Sequence, residues 1–257
     1  MKKLISQTGE SCRLAILFCL AAFPLFCIPL FFEGLQHIAE VWLGMFSAGA
    51  AENFSAEDQN IRLVFGVLKV LSLIAIFVLV PRYFIHGQSV ESTLSFSNDA
   101  KRAALIGVAS TIFFGIMIFF IGPIVVDLII DGATDQQKML YPFLVFLLIS
   151  FPLYTKMNGW MAGVFDDAPL RKGENKVLNK ALKGGFSPVF LLCFFPMLVV
   201  HYALNFWAME QPMALIVTLL GLDSLVVGVL AVLMATSTYV VYRDARRSIT
   251  LSSAVRS

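Results

Sequence analysis

The sequence predicts an all-α, polytopic membrane protein, and three observations point to that class. Hydrophobic residues make up 58% of the 257 residues and charged residues only 14%, whereas soluble domains carry about 25% charged residues. The apolar residues form long runs, and each run could cross a hydrocarbon core of ~30 Å as a helix of ~20 residues. These runs do not alternate apolar and polar residues as barrel strands do, so helices are predicted to satisfy the backbone in lipid.

Six apolar runs are the predicted transmembrane helices, arranged as three hairpins in one integral membrane domain that covers residues 1–257. The runs are Leu14–Phe32, Leu63–Val80, Ala103–Ile121, Met139–Met157, Pro188–Trp207 and Met213–Tyr242. The first run is longer than the ~7–15 residues of a secretory signal core, so we interpret it as a retained membrane helix.

The positive charges predict the orientation of these helices. Most of the 19 Lys and Arg residues lie in the N-terminal segment, in the connections after the second and fourth runs, and in the C-terminal tail. The alternate connections carry mainly Asp and Glu. Because Lys and Arg are retained in the cytoplasm, both termini are predicted to be cytoplasmic. This architecture is typical of small proteins of the bacterial inner membrane.

Two further segments are predicted to be short amphipathic helices at the membrane surface. The segment after the first run has one apolar face, which includes Trp42, and one polar face. The polar face carries Glu33, Gln36, His37, Glu40 and Gly44. This pattern predicts a helix at the outer interface, which either rests in the headgroups or on the helix bundle, or serves as a lid or partner-docking surface.

The second amphipathic segment is basic and lies on the cytoplasmic side. Lys176, Lys180 and Lys183 share one helical face, and anionic headgroups stabilise such a helix by about 1 kcal/mol per basic residue. Topology alone also explains these charges. Because the basic segments contain no interleaved aromatic residues and no reading module, nucleic-acid binding is not predicted.

Ionisable residues inside apolar runs are candidates for a functional site, because charge is costly in lipid. Lys69 lies in the second run and Asp223 in the sixth, and both are predicted in the outer half of the membrane. A Lys69–Asp223 ion pair would compensate both charges, and Asp127 is the alternative partner of Lys69. The pair could be a structural latch, a proton-linked switch or the lining of a solute pathway, unless Lys69 instead snorkels independently.

The histidines give a weaker signal. His201 and Asn205 are four positions apart, so they share a helix face and predict a polar patch. His37, His86 and His201 lie in three separate segments, without the spacing of a zinc site. No metal and no cofactor is therefore predicted.

The sixth run carries a stripe of small residues that is typical of close helix packing in lipid. The stripe consists of Gly221, Ser224, Gly228, Ala231, Ala235 and Thr238. Its partner is left open: another helix of this chain, a second copy in a homo-oligomer, or another membrane protein.

The motifs expected of common enzyme classes do not occur in a suitable context. The longest connections, of roughly 20–30 residues, are too short for a folded catalytic domain. The sequence therefore favours a non-enzymatic membrane protein that acts through helix packing and partner interaction, as an assembly component, an immunity-type protector or a membrane-homeostasis factor. The alternative is a small-solute or ion transporter or channel with a site near Lys69 and Asp223.

Overall fold

The computed structural model describes residues 1–47, 56–116, 121–130, 132, 163–167, 176–178, 180 and 187–254. Over these residues the regular secondary structure is helical and contains no strand, which confirms the all-α class. The helices with defined bounds are α1 (Lys2–Ala21), α2 (Phe23–Trp42), α3 (Ala56–Ile85), α4 (Val90–Leu94), α5 (Asn98–Ile116), α6 (Gly122–Ile129), α7 (Pro188–Ala208) and α8 (Met213–Ala254).

Three helices of the described ranges are long and apolar enough to cross a membrane. They are Val64–Ile85 within α3, Pro188–Ala208 and Met213–Thr250 within α8, and they coincide with the second, fifth and sixth predicted runs. Helices α1 and α2 add a fourth if the bent pair is one span. Residues 103–116 of the third predicted run belong to α5, whereas residues 117–120 of that run and the whole of Met139–Met157 lie outside the described residues. Six spans therefore remain a prediction.

The first predicted span is wrong as a single helix, because the chain bends by 94° between α1 and α2. The bend occurs at Ala22, whose φ of −114° and ψ of 40° are not helical. Pro24 explains the break, since its ring clashes with the carbonyl four residues earlier and its nitrogen has no hydrogen to donate. The segment that follows the first run in the sequence is consequently the body of α2.

The described residues divide into two compact units. The first unit comprises Met1–Leu94 and Pro188–Val241. Within it, α2 packs against α3, and α1 packs against α7. One apolar cluster of this unit contains Phe46, Ala208, Ile216 and Leu220.

The second unit comprises Ser95–Ser187 and Tyr242–Ser257. In this unit, Asp166 accepts hydrogen bonds from Tyr242 Oη at 2.6 Å and from Arg246 Nε at 2.9 Å. The end of α8 is thereby attached to the short segment 163–167.

The basic segment of the second unit is described only in part. Lys176, Val177 and Lys180 are exposed, whereas Leu178 is fully buried. Lys183 lies outside the described residues.

The small-residue stripe of α8 packs within the first unit. Gly221 is exposed, and the buried members are Ser224, Gly228, Ala231, Ala235 and Thr238. A Cβ atom added to Gly228 would lie 3.0 Å from Cε2 of Phe26 in α2, whereas a Cβ added to Gly221 would meet nothing within 4 Å. A Cβ added to Gly34 of α2 would lie 3.7 Å from Ser224 Oγ. At Ser224 and Gly228 the partner of the stripe is therefore α2 of the same chain.

Candidate functional site

Helix α2 buries its polar face and exposes its apolar face. Glu33, His37 and Glu40 are 0%, 4% and 3% exposed, whereas Ile38 and Trp42 are 67% and 77% exposed. An amphipathic helix at the surface of a water-soluble protein has the opposite arrangement, while ionisable residues of membrane helices face the bundle interior. The prediction that α2 is a surface helix with a solvated polar face is therefore wrong.

The carboxylate of Asp223 in α8 is fully buried and contacts side chains from two other helices. His37 Nε2 of α2 lies 2.8 Å from Asp223 Oδ2, and His201 Nδ1 of α7 lies 2.8 Å from Oδ1. Asn205 Nδ2 donates a hydrogen bond to Oδ2 at 2.7 Å and another to the carbonyl of His201 at 2.9 Å. The patch expected from His201 and Asn205 thus lies directly against Asp223.

Lys69 of α3 pairs with Glu33 of α2. Its Nζ donates a hydrogen bond to Glu33 Oε1 at 2.9 Å and lies 2.7 Å from Oε2. Glu33 Oε1 also lies 3.3 Å from His37 Nε2, the nitrogen that contacts Asp223. The predicted direct Lys69–Asp223 ion pair is therefore wrong: the bend at the start of α2 brings Glu33 to Lys69, and the two predicted partners are linked through Glu33 and His37.

The alternative partner expected for Lys69 was Asp127, an exposed residue of α6. Both oxygens of Glu33 contact the Lys69 ammonium group. Lys69 therefore pairs with Glu33 rather than with either of the two aspartates expected from the sequence.

The contacts of Asp223, His37, His201, Asn205, Glu33 and Lys69 form one polar cluster, which Glu40 and Gln36 of α2 extend. Arg62 of α3 supplies a second cation at the end of the cluster that contains Glu40. Its Nε donates a hydrogen bond to Glu40 Oε1 at 2.9 Å, and Gln36 Nε2 donates to the same oxygen at 2.9 Å. Glu40 Oε2 lies 3.0 Å from His37 Nδ1. The Arg62 side chain is half exposed, so it connects this end of the cluster to the surface of the unit.

The charges of the cluster compensate one another. His37 has a carboxylate at both ring nitrogens, Glu40 at Nδ1 and Asp223 at Nε2. A carboxylate donates a hydrogen bond only when it is protonated, so either His37 carries both N–H groups or one carboxylate carries a proton. A doubly protonated His37, together with Lys69 and Arg62, would balance Glu33, Glu40 and Asp223, as charges removed from water require.

Three of these groups have the spacing of potential metal ligands. Glu33, His201 and Asp223 each offer one ligand atom, and these atoms all lie within 4.8 Å of one another. The expectation of no zinc site depended on spacing along the sequence. The structure instead brings His37 and His201, from different helices, to the same carboxylate.

A lateral cavity of about 470 Å³ lies between α2 and α8 beside the cluster. His37 forms part of its wall, and so do Gly34, Ile38, Trp42, Gly221 and Ser224. His37 is therefore the residue through which the polar cluster meets this mostly apolar cavity.

The sequence interpretation missed Glu33, Gln36, His37 and Glu40 as site residues, although it placed them on one helix face. A signal was present, because the polar segment that starts at Glu33 follows the apolar run that ends at Phe32 directly. Apart from Gly34, no proline or turn motif marks the end of a helix at this point. A helix that continues the apolar run carries its polar face into the bundle rather than toward water.

No protein-family model, curated protein or solved structure matches this chain. Its function is therefore inferred from the chemistry of the site.

Proposed function

We propose that the chain is a multi-pass membrane protein that binds a small cation inside the membrane and carries it across. The convergence of buried acidic and imidazole groups at Asp223 is the observation that supports this function most directly. Ionisable groups in membrane helices are costly, and they typically mark ion pathways and binding sites. Lys69, His201 and Asp223 belong to α3, α7 and α8, which among the described helices are the three unbroken ones with the length and hydropathy of membrane spans.

The break between α1 and α2 also supports transport. Discontinuous helices commonly form the substrate and ion sites of transporters, and α2 begins at such a break and carries Glu33, His37 and Glu40. In this proposal Lys69 occupies Glu33 when no cation is bound, and an incoming cation replaces the ammonium group.

The proposal includes the topology expected from the charges: six spans in the bacterial inner membrane, with both termini in the cytoplasm. Lys176, Lys180 and Lys183 would then face anionic headgroups of the inner leaflet. A fluorescent protein fused to the C-terminus should be bright, and alkaline phosphatase fused at the same position should be inactive. Active phosphatase at that position would contradict the orientation.

Cation flux across proteoliposomes that contain the purified protein tests the transport proposal. Wild-type protein should take up cations faster than empty liposomes do. The Asp223→Asn variant should lower the rate at least about tenfold, since removal of a metal-site ligand costs at least as much as loss of its outer-shell partners. Asp127→Asn is the matched control, because Asp127 is exposed and is not among the side chains that contact Asp223. Equal uptake by wild-type protein and empty liposomes would refute the proposal.

The second candidate is the non-enzymatic role in assembly, immunity-type protection or membrane homeostasis. It is supported by the local balance of charge, which would make the cluster a structural latch, whereas the α8 stripe already packs against α2 of the same chain at Ser224 and Gly228. This role requires a partner, either a second copy or another membrane protein. It predicts a stable complex in detergent extracts and no cation flux from wild-type protein.

A further inference from the structure

We infer that the cation is a divalent transition-metal ion held by Glu33, His201 and Asp223, with His37 as a fourth ligand. This inference rests on the proposed cation site and names the class of ion that the site binds. Four helical segments supply the surrounding groups, since α2, α3, α7 and α8 each contribute at least one side chain to the cluster.

The distances are close to those of a metal centre. Zinc bonds of ~2.1 Å in a tetrahedral site separate neighbouring ligand atoms by about 3.4 Å. His37 Nε2 lies 3.3 Å from Glu33 Oε1 and 2.8 Å from Asp223 Oδ2, and His201 Nδ1 lies 2.8 Å from Asp223 Oδ1. The ligand atoms of Glu33, His201 and Asp223 all lie within 4.8 Å of one another. Side-chain shifts of about an ångström would therefore complete the site.

The types of ligand atom favour a transition metal. Two imidazole nitrogens and two carboxylates suit zinc, iron, nickel or copper ions, whereas magnesium and calcium sites are built from oxygen ligands alone. Binding of the ion would release the Nε2 proton of a doubly protonated His37 and displace the Lys69 ammonium group from Glu33, so one divalent ion would replace two single positive charges.

The groups around the ligands supply an independent observation. A metal-binding histidine typically donates its other ring N–H to a carboxylate, which fixes the ring and its tautomer. His37 has this arrangement, because Nε2 points to Asp223 and Nδ1 lies 3.0 Å from Glu40. Gln36 and Arg62 hold Glu40 in turn, so these three side chains act as positioning residues.

Lys69 is the competitor of the metal ion. Its ammonium group contacts both oxygens of the fully buried Glu33. The Lys69 side chain is partly exposed, and its long stem allows the ammonium group to withdraw toward the surface. Removal of this cation should therefore strengthen metal binding.

Metal retention by the purified full-length protein in detergent tests the inference. Protein incubated with Zn²⁺ or Co²⁺ and then desalted should hold one ion per chain by elemental analysis, and the Co²⁺ form should show the visible absorption of nitrogen ligation. His201→Gln and Asp223→Asn should each weaken binding at least about tenfold, and Lys69→Met should strengthen it. His86→Gln is the matched control, since His86 lies outside the cluster.

The outcomes separate this inference from the proposed function. Wild-type protein that retains no stoichiometric metal overturns the inference, and cation flux in proteoliposomes would then leave the transport proposal standing with another ion. One bound ion without flux keeps the metal site and refutes transport. Retention that His201→Gln leaves unchanged places the ion elsewhere and overturns the inference. If Asp223→Asn does not fold, the number of ions bound per wild-type chain and the metal retention of His201→Gln still decide whether the metal site exists.

Discussion

Replacing Glu33 with Gln is expected to destabilise the metal-free protein by about 3–5 kcal/mol, which is the usual cost of removing one partner from a buried ion pair. Lys69 would lose the carboxylate that lies 2.7 Å from its Nζ, and His37 would lose a nearby anion. Lys69→Met should cost a similar amount, because Glu33 is fully buried and would keep an uncompensated charge. The free energy of unfolding in mixed micelles, measured by SDS titration, gives both values.

The double variant Glu33→Gln/Lys69→Met removes both charges, so it should recover a large part of the loss. Lys69→Met combined with Asp223→Asn is the comparison, because these two side chains interact only through Glu33 and His37. Coupling between Lys69 and Glu33 should exceed coupling between Lys69 and Asp223. The reverse order would mean that the ion pair first expected from the sequence is the correct one.

The sequence predicted the helices that are long and apolar enough to cross a membrane more reliably than it predicted their breaks. The runs that became α3, α7 and α8 were visible because a long apolar segment in lipid has to be a helix. The break at Ala22 was not visible in the sequence, because the apolar run continues without interruption across Pro24 and Pro29. A proline in a membrane helix is compatible with a kink or a break, and tertiary packing decides which one forms.

The site was recognised only where a polar residue stood alone in an apolar run. Lys69, Asp223, His201 and Asn205 were found in that way, and the structure brings all four into one cluster. Glu33 and His37 were assigned to the surface, because helical periodicity separates two faces without showing which face meets solvent. In water the polar face is solvated, whereas in lipid it turns inward. The pairing of Lys69 with Glu33 depends in addition on the bend, which no periodicity encodes.

The contact between Gly228 and Phe26 connects the packing of α8 to the position of the site. Gly228→Leu is expected to destabilise the protein by about 1–3 kcal/mol, the typical cost of overpacking, since a Cβ atom there would already lie 3.0 Å from the Phe26 ring. Gly221→Leu is the matched control on the same helix, because the space beside Gly221 is open. The same SDS titration measures both variants.

Gly228→Leu should also weaken metal retention, although it touches none of the four ligands. Gly228 lies five positions after Asp223, about 7.5 Å along the helix axis, so a leucine that displaces Phe26 moves α2 away from α8 close to the site. The contact of 2.8 Å between His37 and Asp223 joins those two helices. If the two atoms moved about one ångström further apart, their distance would exceed that of a hydrogen bond. If stability falls while metal retention equals that of the wild-type protein, the leucine is accommodated by the Phe26 side chain alone, and the packing of the stripe does not position the site.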